Sequence, residues 1–311
     1  MTITQLEYII AVDTYRRFAT AAEQCFITQP TLSMQIQKLE EDLGNKIFDR
    51  SKQPVIPTEI GEEIIRQARI IIHEVKMIHQ LIRDKEGVLQ GELRIGIIPT
   101  LAPYLLPMFL QSFLSKYPDI KIRVKEMTTD IIIEKLKAGR IDAGLLVTPL
   151  QDSTIREYPL FYEELVAYVS KKNAAYKKTY ILQDDIDLKE LWLLEEGHCF
   201  RSQIVNLCEL KKQTKEQSHF EYEAGSVETL RKMVEMHNGV TILPEMATLD
   251  FSVKQMNMIR HFKAPVPVRE VSLVTHRNYV KQKLVDALKE EIIATLPGKI
   301  KLTKKDNVVL I

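Results

Sequence analysis

A chain of 311 residues, 45% hydrophobic and 27% charged, has the balance of a globular protein of two or three domains and excludes a disordered, collagenous or membrane-spanning one. Forty-three basic against 42 acidic residues leave a net charge of +1, so any nucleic-acid footprint must be local. No apolar run approaches the roughly 18 residues of a membrane span, and the first ten residues, MTITQLEYII, lack the layout of a secretory signal, so a cytoplasmic location is expected.

Residues 1–58 read as short helices around one sharp turn, with Leu6, Ile9 and Ile10 forming one apolar face and Phe18, Ala19, Ala22 and Cys25 the next. Thr28 is placed to cap a third helix with Pro30 in its first turn, and Gly44 to stop it. Within it Leu32, Ile36, Leu39 and Leu43 make one core-facing stripe. The opposite face carries Pro30, Met34, Gln37 and Lys38, flanked by Gln29, Thr31 and Ser33. Two short strands, Lys46–Arg50 and Val55–Pro57, follow. A helix-turn-helix with a wing is the economical description. Its six Lys/Arg against seven Asp/Glu show why bulk charge does not reveal it.

From Thr58 to Glu86 the pattern is one long linker helix, about 43 Å at 1.5 Å per residue. Ile60, Ile64, Ala68, Ile71, Val75, Ile78 and Ile82 recur with coiled-coil spacing, a narrow seam that favours a second copy of the chain as its partner. After Gly91 strands and helices alternate. Strands are expected at Leu93–Ile97, Ile120–Val124 and Ile141–Val147, with helices at Leu101–Tyr117 and Ile131–Ala138, hence an α/β domain on a parallel sheet. Further strands at Leu165–Val169, Leu191–Leu194, Phe220–Tyr222, Val240–Leu243 and Val271–Val274, and helices at Val227–Met236 and Val280–Ala294, make a second lobe and the return. The expected lobes are 91–162 with 268–300, and 163–267. The tail from Gly298, with four lysines and one aspartate, is expected to be loosely attached.

Three cysteines, Cys25, Cys199 and Cys208, suit neither a secreted disulfide framework nor a zinc site, and no metal or other cofactor is expected. Cys25 lies on an apolar helix face and reads as inert. Cys199 and Cys208 on their own read either as two core cysteines or as a redox pair.

The stretch Ala21–Ser33 resembles the helix-turn-helix of LysR-type transcriptional regulators, and Leu39-Glu40, Leu43-Gly44, Phe48-Asp49-Arg50 and Thr58-Glu59-Ile60-Gly61 continue that pattern. Glu196-Gly197-His198-Cys199-Phe200-Arg201, followed by Cys208, is similar to the redox-switch segment of the peroxide-sensing branch of that family. Ile98-Pro99-Thr100, Pro103–Pro107, Glu228–Arg231 and Thr241–Pro244 also match it. The resemblance implies a winged helix-turn-helix on a periplasmic-binding-protein-like α/β regulatory domain of two lobes. It implies a non-enzymatic activator that works as a homodimer or homotetramer on double-stranded promoter DNA with RNA polymerase. Hydrogen peroxide would be its signal, and a thioredoxin- or glutaredoxin-type thiol its reductant. Family members often carry arginine where Met34 stands and aspartate where Ser202 stands.

In that light Gln29, Thr31, Ser33 and Gln37 offer donors and acceptors to base edges, Met34 lies on the same DNA-facing side, and Lys38, Arg50 and Lys52 are phosphate contacts. A peroxide sensor needs a thiolate, and a helix starting just after Cys199, with His198 and Arg201 beside it, lowers a thiol pKa. By the resemblance Thr100 and Thr129 line the peroxide pocket, Cys199 becomes a sulfenic acid, and Cys208 resolves it to a disulfide. If 199–208 were all helix, the two Cα atoms would stand about 13 Å apart, whereas a disulfide needs less than about 7 Å. Joining them therefore requires the segment to refold. Its unwinding competes with a chain-entropy term of roughly 3 kcal/mol for a ten-residue loop. The other readings are a LysR-type regulator that senses a metabolite in the inter-lobe cleft, a thiol peroxidase, and a solute-binding protein.

Overall fold

The computed structural model describes residues 1–85, 89–182, 185–186, 190–194, 199–207, 224–277, 279, 282–298, 300 and 308–309. Its contacts divide the chain into two units, residues 1–88 with 138–140, and residues 89–137 with 141–311.

The first unit opens with α1 (Ile3–Tyr15), started by a capping box in which Thr2 and Gln5 each satisfy the other's backbone N–H. Arg16, in the left-handed conformation, ends it. Helices α2 (Phe18–Gln24) and α3 (Gln29–Leu43) follow. The α3 start is capped by Thr28, and its end by Gly44 at φ 67°, a conformation glycine adopts without steric cost. Leu32, Ile36 and Leu39 are fully buried against Ile9 and Val12 of α1, Ala21 and Ala22 of α2, and the wing residue Ile47. The wing is the antiparallel pair β1 (Phe48–Asp49) and β2 (Ile56–Pro57).

Helix α4 (Glu59–Lys85) starts where Gly61 passes under the wing. A Cβ there would stand 2.0 Å from the Ile47 carbonyl oxygen, so no larger residue fits without moving backbone. The stripe that α4 buries in its own unit is Ile65, Ala68 and Ile72, displaced from the expected seam except at Ala68. Ile60 and Ile78 of that seam are exposed, Ile64, Ile71 and Val75 are half-buried, and Ile82 lies outside the residues whose side chains are described. The helix thus has two adjacent apolar stripes, one used within the chain.

The second unit contains β3 (Gly91–Ile97), α5 (Ala102–Lys116), β4 (Ile120–Glu126), α6 (Thr129–Lys137), β5 (Ala143–Thr148) and β6 (Ile155–Val169). After β7 (Tyr180–Ile181) come α7 (Cys199–Leu207), α8 (Val227–Met236), β8 (Val240–Pro244), α9 (Val253–Met256), β9 (Ile259–Phe262), β10 (Val268–His276) and α10 (Gln282–Thr295). The strand order is β4-β3-β5-β10-β6-β9-β7, with β8 also on β6.

The expected parallel sheet is only partly present. β3 pairs in parallel with β4 and β5, and β7 with β9, but β10 runs antiparallel to both β5 and β6. The reason is the crossing between lobes. The chain leaves the first lobe along β6 and re-enters it along β10, so both crossing strands lie in one sheet with opposite sense. β6 is also far longer than the expected Leu165–Val169. Its first part pairs with β10, and Leu165–Val169 pair with β8. Leu160 and Phe161 belong to the first lobe's core, and Leu165 to Val169 to the second's.

Leu191 and Leu194 make only isolated bridges, to Val240 and Ala224, rather than a strand. The expected strand at 220–222 lies outside the described residues. The tail is not wholly loose: Val308 bridges Val268 in parallel, and Val309 is 9% exposed in the second lobe's core.

Candidate functional site

The outward face of α3 is built by the same periodicity that buries its other side. Leu32, Ile36, Leu39 and Glu40 point inward, and at 100° per residue Met34 stands nearly opposite the centre of that arc. It is 61% exposed. Gln29, Gln37 and Lys38 are exposed and Ser33 half-buried. Not every candidate side chain is free. Gln37 donates its amide to Glu41 (3.0 Å), and Thr31 shares a hydrogen bond with the cap hydroxyl of Thr28 (2.8 Å).

Arg50 has a role beyond charge. It donates to Ser33 (3.1 Å) and Glu40 (3.2 Å), and its guanidinium lies 5.1 Å from the Phe18 ring centre. Glu40, 2% exposed, accepts on its other oxygen from the backbone N–H of Ile47 (2.9 Å) and Phe48 (3.3 Å). One buried carboxylate therefore fixes where the wing leaves α3. Beside it a groove of about 770 Å³ is lined by Arg16, Arg17, Arg50 and Lys52 together with Gln29 and Ser33. Sequence reasoning missed Arg16 and Arg17. They fall in the α1–α2 turn, and only the fold puts that turn beside the wing.

In the second unit, Thr100 and Thr129 lie beyond the carboxyl ends of the adjacent parallel strands β3 and β4, the edge where open α/β sheets bind ligands. Both are buried. The Thr100 hydroxyl accepts a hydrogen bond from Arg269 (3.1 Å), as does its carbonyl (3.2 Å). The Thr129 hydroxyl is buried with no hydrogen-bond partner among the described residues, an open donor and acceptor.

Arg269 is the functional residue the sequence did not announce. It is fully buried and donates to Glu163 at 2.7 Å, itself fully buried. The pair are register neighbours on β10 and β6, and the second Glu163 oxygen accepts from the Met246 N–H (3.0 Å). The guanidinium sits 5.2 Å from the ring centre of Phe200, the residue after Cys199. One fixed cation thus reaches both the Thr100 hydroxyl and the first turn of α7.

α7 begins at Cys199 itself, three residues earlier than the Ser202 start read from sequence. The Cys199 side chain, His198 and Cys208 lie outside the described residues. Arg201 donates to the Leu194 carbonyl (2.7 Å), which ties the entry to α7 back to the core. The lobes are bridged by Tyr104, whose hydroxyl donates to Glu228 (3.0 Å). Burial and the neighbouring Glu228 carboxylate push that phenol well above its ordinary range, so it stays a donor. Cys25 is half-buried, and burial, then Glu7, raise its thiol pKa, so little of it is thiolate at neutral pH.

Two family models match the chain: the lysR-family bacterial regulatory helix-turn-helix protein over residues 3–62, and the LysR substrate binding domain over residues 86–297. It is 33% identical over 303 residues to the hydrogen peroxide-inducible genes activator of Haemophilus influenzae, covering 96% of this chain and 99% of that protein. It is 31% identical over 298 residues to the DNA-binding transcriptional dual regulator OxyR of Escherichia coli K12, covering 96% and 97%. A full-length OxyR variant from Pseudomonas aeruginosa matches with a TM-score of 0.80 at 32% identity, covering 95% of this chain and 99% of that one. An OxyR mutant from Corynebacterium glutamicum with H2O2 bound matches with a TM-score of 0.61 at 25% identity, covering 94% and 92%.

Proposed function

The chain belongs to the LysR family of bacterial transcriptional regulators, in its hydrogen peroxide-inducible, OxyR-type branch, and on that premise we propose that Cys199 is its peroxide-reactive thiol and Cys208 the resolving one. The observation that carries the reading is the buried Arg269, which holds the Thr100 hydroxyl and stacks on Phe200 at the start of α7. A helix N-terminus favours a thiolate at Cys199, and the guanidinium end of the Arg269–Glu163 pair faces the same turn.

Thr100 already accepts from Arg269, so its own proton is free to donate to a peroxide oxygen, and the unpaired Thr129 hydroxyl offers a second contact. The thiolate attacks one peroxide oxygen, the O–O bond breaks, and the departing oxygen leaves as water after protonation. The Cys199 sulfenic acid is then attacked by the Cys208 thiolate, which forms the S–S bond and releases the second water. In all, two electrons leave the sulfur pair and one peroxide becomes two waters. A cellular dithiol returns the pair to thiols by exchange. His198 and Arg201 add positive charge near Cys199 in this reading.

Mass spectrometry after one equivalent of peroxide tests it. A Cys199–Cys208 disulfide with Cys25 unmodified is expected, and Cys199→Ser should abolish peroxide-dependent promoter activation. A Cys199→Ser chain that responds fully would instead favour a metabolite bound between the lobes.

On the DNA side, α3 enters the major groove, and Arg16, Arg17, Arg50, Lys52 and Lys38 hold phosphates while Gln29, Thr31, Ser33 and Gln37 face bases. Met34 has no donor to offer, and the major groove's apolar feature is the thymine methyl. Once an operator has been selected in vitro, replacing single thymines by deoxyuridine should weaken binding several-fold at one position per half-site. Met34→Ala should erase that dependence. Equal sensitivity in both proteins would remove Met34 from base reading. The α4 stripe left exposed at Ile60 and Ile78 supports a homodimer, with the tetramer, RNA polymerase and a thioredoxin- or glutaredoxin-type reductant as further partners.

A further inference from the structure

The buried face of α7 is Phe200, Gln203, Ile204 and Leu207, at i, i+3, i+4 and i+7. Three of these are apolar; Gln203 is a fully buried amide in the middle of the stripe. Such a group is costly unless paired; its Oε1 is buried with no partner among the described residues, and the partner of its nitrogen comes from the far end of the chain. The Gln203 amide nitrogen donates to the Val309 carbonyl at 2.8 Å. Val309 in turn donates its N–H to the Val268 carbonyl at 2.8 Å, next to Arg269. Its side chain lies in the same apolar core as Phe200, Ile204 and Leu207. The end of the chain therefore ties the middle of α7 to the strand that carries Arg269.

We infer that Gln203 and the Val308–Val309 segment form a positioning clamp that keeps α7 wound in the dithiol state and sets how readily the Cys199–Cys208 disulfide forms. The inference rests on the disulfide reading above. Its physical content is a sign. α7 sets its first and last Cα atoms, at residues 199 and 207, about 12 Å apart, and one further residue spans only about 3.8 Å where a disulfide needs less than about 7 Å between Cα atoms, so closing the disulfide requires unwinding α7 and breaking the clamp. Whatever the clamp contributes stabilises the dithiol alone and makes the disulfide easier to reduce. The buried hydrogen bond by itself accounts for a factor of up to about ten in that equilibrium, and the buried valine side chain adds to it.

The test uses the full-length chain, a truncation after Asn307, Gln203→Met, and the two changes combined, equilibrated in glutathione redox buffers. The truncation should favour the disulfide at least about tenfold, a potential about 30 mV more negative, and Gln203→Met by less, because it keeps the Val309 side chain and removes the unpaired Oε1 along with the bond. The combination should add little to the truncation, because the truncation already removes the bond that Gln203→Met acts through. In the fully reduced chains, amide hydrogen exchange should quicken about tenfold in α7 and not in β5, a control that needs no disulfide. Unchanged equilibria and exchange, or fully additive effects, would overturn the clamp while leaving the peroxide reading intact. A full-length chain that forms no Cys199–Cys208 disulfide sinks that reading and the clamp with it.

Discussion

Arg269→Ala is expected to lower the unfolding free energy of the regulatory unit by about 3–5 kcal/mol, the usual cost of breaking a buried ion pair from one side. Glu163 would keep its bond from the Met246 N–H but lose the only cation facing it among the described residues, at zero exposure. Urea denaturation reads the effect as a lower midpoint at unchanged slope. Replacing both partners by residues of similar volume, Arg269→Met with Glu163→Met, should recover most of the loss, since no orphaned charge remains. Peroxide reactivity should not recover with it. The double variant still lacks the donor to Thr100 and the charge over Phe200, so thiol oxidation should stay at least about tenfold slow, the effect of one pKa unit on the thiolate fraction. Recovery of both together would show that Arg269 is only a structural group.

The second large effect is expected in the DNA-binding unit. Glu40→Ala should cost about 3 kcal/mol, because it strands two backbone N–H groups and removes the counter-charge to Arg50. Operator affinity should fall more than tenfold, since the wing and the Arg50–Lys52 side of the groove are hung from that carboxylate. Glu40→Gln keeps an acceptor for the Ile47 N–H and should lose about half as much stability. Thermal unfolding and DNA titration at fixed salt measure both quantities. An alanine variant that melts and binds like the parent would show the wing to be anchored elsewhere, with Gly61 beneath the Ile47 carbonyl the next group to change.

Much of the fold was legible along the chain wherever one element carried its own signal. α3 follows from a cap, a proline and a four-residue apolar stripe, and it runs from Gln29 to Leu43 as those signals require. α8 matches its expected Val227–Met236. Errors fall where the deciding contact is distant. Periodicity predicts only five residues of β6 because its first part, with Arg156, Glu157 and Glu163–Glu164, breaks any apolar run; β10 alongside makes it a strand. The α4 stripe was displaced because both of its apolar faces have helical period, and only contact with the α1–α3 core selects Ile65, Ala68 and Ile72.

The site divides the same way. Local spacing in the sequence determined the outward face of α3, because side chains a few residues apart share a helix face, whereas Thr100, Thr129 and the Gly-His-Cys context of Cys199 stand out only by their resemblance to family motifs. Tertiary structure alone decided that Arg269, Glu163, Thr100 and Phe200 meet, that Arg16 and Arg17 join Arg50, and that Val309 reaches Gln203. Periodicity records which way a side chain points. It holds no record of which distant segment will be there to meet it, and for a buried charge that partner decides whether it is a liability or a fixed field.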